Sequence, residues 1–166
     1  MGFYPAVATV GNTPVPLPVA DGGTGVTWGS PITQLSGMLG ADVSISAEST
    51  VLTVPSLAVG TWLIMVNINV EQETASVQTV FSCRANGGTA TYSVAGGNSS
   101  AQQTTTSIAT ATHESTTLSL TFIATVTVAG TVIITAFGDS GTPFAKASTP
   151  EQGYPNATGY VAVRTA

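Results

Sequence analysis

The chain has 166 residues, 43% hydrophobic but only 7% charged, with eight acidic and three basic side chains and a net charge of −5. So low a charged fraction argues against long amphipathic helices, whose wet faces need Glu, Lys and Arg. Arg84, Lys146 and Arg164 cannot build a basic patch, which argues against a nucleic-acid partner.

Polarity comes instead from Ser, Thr, Asn, Gln and Gly, residues that suit strands and turns, so the expected class is all-β. A monomer this poor in charge is prone to associate, which favours an oligomer with part of its surface covered. Cys83 is the single cysteine, so no intrachain disulfide forms. Met1-Gly-Phe-Tyr-Pro5 lacks a charged start followed by an apolar run, and Ala6 stands where myristoylation wants Ser or Thr. No apolar run approaches the roughly 20 residues of a membrane span. The expectation is a soluble protein not exported by its own sequence.

Residues 1–40 read as an extended N-terminal arm. Pro14, Pro16 and Pro18 at alternate positions forbid a central strand and favour polyproline-like chain. Phe3, Tyr4, Val10, Leu17 and Trp28 are too apolar for a free linker. They are the candidate contacts of an arm lying on a neighbour's surface, the alternative being a partly disordered tail.

Residues 41–166 read as the head domain, built from short alternating segments. Val43 and Ile45 alternate with serines; Val51, Leu52 and Val54 follow, stopped by Pro55. Gly60 to Val70 is the central strand. Trp62, Ile64, Val66, Ile68 and Val70 fall on one side, Leu63 and Met65 on the other, so its first half is apolar on both faces. Val77 to Ala85 ends at Asn86-Gly87-Gly88, a hairpin signal. Ala90–Ala95 is a short returning strand, and Thr104–Thr112 a weaker one. Leu118 to Val128 alternates cleanly and turns at Ala129-Gly130 into Thr131–Phe137. Residues 138–157 read as a long loop, and Gly159–Thr165 as a terminal strand. Eight or nine strands at this spacing predict an antiparallel sandwich of the jelly-roll kind.

No catalytic constellation emerges, and the expectation is a protein that is not an enzyme and carries no cofactor. His113 and Glu114 are adjacent, so on a strand they point to opposite faces. Cys83 has no nearby base and shares the apolar phase of Phe81. His113 and Cys83 make no metal-ligand spacing, and the acidic residues match no calcium loop. Glu71 and Glu73 point the same way and could share a cation on a symmetry axis; a solvated turn is the alternative.

The run Val54-Pro-Ser-Leu-Ala-Val-Gly-Thr-Trp-Leu-Ile64 resembles the segment that opens the central strand of phage-encoded jelly rolls of the tumour-necrosis-factor and complement-head type. Leu118–Val128, Gly130–Ala136 and Gly159-Tyr-Val-Ala-Val-Arg164 are similar to the last strands of that family. Val19-Ala-Asp-Gly-Gly-Thr-Gly25 resembles a Gly-Gly-Thr-Gly segment near the heads of phage tail and fibre proteins. The resemblance implies a homotrimer on a virion surface. The short stretch before the head favours a capsid decoration protein, anchored through its arm to the major capsid protein or another virion protein, over a fibre. It places the central and terminal strands on the threefold axis, which makes Trp62, Ile64, Val66 and Tyr160 candidates for inter-subunit packing; core packing within one subunit is the competing reading. The rival function is a head that recognises a host-surface ligand through Tyr92, Phe144 and Tyr154.

Overall fold

The computed structural model describes residues 9–10, 13–14, 33–74, 77–95, 101–108, 114–147 and 158–165. The chain divides into two units, residues 1–32 and 33–166. In the first, β1 (Thr9–Val10) pairs antiparallel with β2 (Thr13–Pro14). Phe3, Tyr4, Leu17 and Trp28 lie outside the described residues, and Val10 belongs to β1.

The second unit is all-β, with no helix among the described residues. Its strands are β3 (Gln34–Met38), β4 (Val43–Ser44), β5 (Ser49–Leu57), β6 (Gly60–Gln72), β7 (Gln78–Ala85), β8 (Thr91–Val94), β9 (Ala101–Ile108), β10 (Glu114–Val128), β11 (Gly130–Gly138), β12 (Pro143–Ala145) and β13 (Gly159–Arg164). The larger sheet runs β3-β13-β6-β10-β8, with β12 joining β4 to the end of β6; the smaller runs β5-β11-β7-β9. Every pairing is antiparallel.

Three expectations need correction. The boundary at residue 40 falls at residue 32 instead, because Gln34–Met38 pairs with the terminal strand as β3. The supposed loop 138–157 contains β12, too short to show alternation, which takes its place beside β4 and β6. The two expected hairpins are absent. β7 and β11 lie in the smaller sheet, β8 and β10 in the larger, so the turns at Asn86-Gly87-Gly88 and Ala129 carry the chain across the sandwich. Gly88, at φ 103°, makes the first crossing possible: a Cβ there would stand 2.1 Å from the Thr131 carbonyl oxygen.

Alternation decides which side faces in. In β6, Ile64 and Val66 sit between Ala162 and Tyr160 of β13 and Phe122 and Leu120 of β10, while Trp62 pairs with Ala124, Ile68 with Leu118 and Val70 with Ala145 of β12. This phase meets Val54, Leu57, Phe81, Cys83, Val132 and Ile134 of the smaller sheet in one core. β5 is the edge that tolerates Pro55. There Pro55 and Ser56 bulge opposite Thr131, with Ser56 at φ 53°.

Candidate functional site

The larger sheet turns its other face outward, and that face is where the structure concentrates exposed apolar surface. Register aligns its side chains in rows across the strands. Leu63 lies between Val163 and Ile123, Met65 between Val161 and Thr121, and Asn67 between Gly159 and Ser119. Beyond β13, Gln34, Ser36 and Met38 of β3 continue these rows. Met38 is 66%, Ile123 46% and Met65 37% exposed, while Leu63, Val161 and Val163 are half-buried. None of these positions carries a charge. Gly159 has no side chain to fill its place, which leaves a shallow recess bounded by Met38, Met65, Asn67 and Val161. The polar members of this face are uncharged, and two of them, Asn67 and Ser119, bond each other at 2.8 Å, which lowers the cost of desolvating it.

The interface candidates lie on the inward side of the larger sheet. Trp62, Ile64, Val66 and Tyr160 are 1%, 0%, 2% and 8% exposed within a single subunit. Their side chains pack in the core of one subunit, and Tyr160 keeps a small exposed part beside the recess. The ladder of Trp62 is the longer and bulkier apolar phase of β6, so it takes the core and leaves the shorter Leu63–Met65 phase outside. Leu63 and Met65, the opposite layer of β6 in the sequence reading, form that outer face together with Ile123, Val161 and Val163.

At the far end of β6, side chains scattered in sequence come together. Lys146 Nζ lies 2.5 Å from Asp42 Oδ2, 4.0 Å from Glu73 Oε1 and 5.8 Å from the centre of the Phe144 ring. Burial opposes the charge of Lys146. The Asp42 hydrogen bond and the charges of Glu71, Asp42 and Glu73 outweigh it, holding its pKa above the ordinary lysine value. The cation beside Glu71 and Glu73 is thus the chain's own ammonium. Among the described residues no three His, Cys, Asp or Glu side chains form a metal-binding group.

A second ionic cluster fastens the β4–β5 connection to the smaller sheet. Arg84 grips both carboxylate oxygens of Glu48, with Nε 2.7 Å from Oε1. Thr135 Oγ1 donates to Oε1 at 2.7 Å and Asn86 Nδ2 donates at 3.3 Å. The Arg84 hydrogen bond, then that of Thr135, lowers the Glu48 pKa to about 2. Unfolded, this carboxyl titrates near its ordinary 4.5, so its contribution to stability is complete above that pH and disappears as pH falls towards 2. Wild type and Glu48→Gln are therefore expected to differ in urea midpoint at neutral pH and to converge on acidification. A constant gap across that window would show that Glu48 is not held this way.

Cys83 is 1% exposed, on the inward phase of β7 opposite Ala136. Tyr92 on β8 and Phe144 on β12 are half-buried in strands. His113 and Tyr154 lie outside the described residues. A scan against protein-family models finds no match, and a search of curated proteins finds no relative.

Proposed function

We propose that the chain is a structural component of a bacteriophage virion: a trimeric capsid decoration protein with a jelly-roll head, anchored by its N-terminal residues. The strand orders β3-β13-β6-β10-β8 and β5-β11-β7-β9, with the chain crossing between the facing sheets, support the jelly-roll reading. The observation that carries the assembly is the uncharged outward face of Leu63, Met65, Ile123, Val161 and Val163, a surface suited to a second copy of itself. The virion assignment rests on the resemblances of Val54–Ile64 and Val19–Gly25 described above.

Mechanically, each arm contributes small apolar contacts to a neighbouring virion protein. Three arms on one head make the second and third contacts intramolecular, so individually weak contacts hold firmly together. Sedimentation of the full chain at micromolar concentration is expected to give three times the single-chain mass. Met65→Asp, which buries a charge in the proposed interface, is expected to give single chains with the fold intact. A wild-type chain that sediments as a monomer overturns the assembly. Counting copies per particle by quantitative mass spectrometry then separates the readings, since decoration requires many copies and a receptor-binding tip only a few. Removal of the arm should stop at residue 32, because β3 begins at Gln34.

A further inference from the structure

Asn86-Gly87 is the single Asn-Gly pair in the chain, and its positive φ serves a crossing between sheets rather than a hairpin. Both residues are exposed. Gly87 sits at φ 82°, with open space where a Cβ would stand. Among the described residues, no backbone hydrogen bond engages its N–H. Among the described residues, the Asn86 carboxamide makes one hydrogen bond, 3.3 Å from Nδ2 to Glu48.

We propose that Asn86 is a site of spontaneous backbone-mediated deamidation that releases the Glu48 cluster. Hydroxide takes the Gly87 N–H proton, and the nitrogen attacks Asn86 Cγ. The new N–Cγ bond forms as the Cγ–Nδ2 bond breaks, and Nδ2 leaves as ammonia with a proton from water. Water then opens the five-membered imide at either carbonyl, yielding aspartate or isoaspartate with no change of oxidation state. Two consequences follow from the surroundings. The product replaces a donor to Glu48 by a second carboxylate, directly against a group whose charge Arg84 and Thr135 already stabilise. Isoaspartate also adds a methylene to the main chain between two bonds to β11, Asn86 N to Ile133 O at 2.8 Å and Ile133 N to Gly87 O at 3.3 Å. The tightly packed Gly88 leaves little room to absorb it.

The test uses the full chain aged at neutral pH and probed with protein-L-isoaspartyl methyltransferase, followed by peptide mapping. Methyl acceptance is expected to grow with time, to map to the peptide containing residue 86, and to be largely lost in Asn86→Gln, whose longer side chain closes a less favourable ring. Acceptance that maps elsewhere, or is equal in Asn86→Gln, overturns the site. Asn86→Asp mimics one product without ageing, and its acid-unfolding midpoint is expected to move to higher pH than wild type. An unmoved midpoint overturns the release of Glu48.

Discussion

Trp62→Ala is expected to lower unfolding stability by about 3–5 kcal/mol, the usual cost of emptying a large aromatic site in a core. The indole is 1% exposed and stands opposite Ala124 of β10, too small to fill the space left behind. Its Nε1 donates to the Ala58 carbonyl at 2.8 Å, closing the turn between β5 and β6, so truncation also strips that carbonyl of its donor. Urea denaturation measures the effect. Trp62→Phe should recover much of the packing but not the hydrogen bond. A loss for Trp62→Ala below about 1 kcal/mol, typical of a surface change, would place the indole outside the core and reopen its assignment to an interface.

Gln72→Ala is the second large effect, and its cause is polar. Gln72 is fully buried at the end of β6. Its Oε1 accepts from Thr142 N at 2.8 Å and Thr74 N at 3.0 Å, while Nε2 donates to the Ser140 carbonyl at 2.7 Å and to Thr79 Oγ1. One amide thus binds the turn between β11 and β12 to the ends of β6 and β7. Removing it orphans several groups at about 1–3 kcal/mol each where buried, and a total of about 3–5 kcal/mol is expected in urea denaturation. Gln72→Glu keeps one acceptor but sets a carboxylate oxygen against the Ser140 carbonyl in a buried site, so it should be no better tolerated than alanine at neutral pH. If alanine is tolerated without loss, water replaces the amide and the turn is held elsewhere.

Alternation made the strands readable, because burial on one face leaves a period of two. Leu118–Val128 and Trp62–Val70 stand where their patterns put them. Partnership between strands was not readable. Asn86-Gly87-Gly88 carries the residues of a hairpin turn, yet the same freedom at positive φ serves a chain leaving one sheet for the other. The orientation of β6 was ambiguous for a related reason: Leu63 and Met65 are as apolar as the core phase beside them. Their exposure follows from the other sheet, which lies on the Trp62 side. The contacts of Glu48 with Arg84 and of Lys146 with Asp42 join residues far apart in sequence, and no local signal announces them.

In residues 33–166 no described strand pairs with the strand next to it in sequence. Ordering therefore begins with wide loops to close and few early rewards, the condition under which β proteins fold in milliseconds to seconds rather than microseconds. β13 lies between β3 and β6, yet it is synthesised after both. On the ribosome these two wait with bare flanks for their shared neighbour, and the larger sheet is completed only when residues 159–164 arrive.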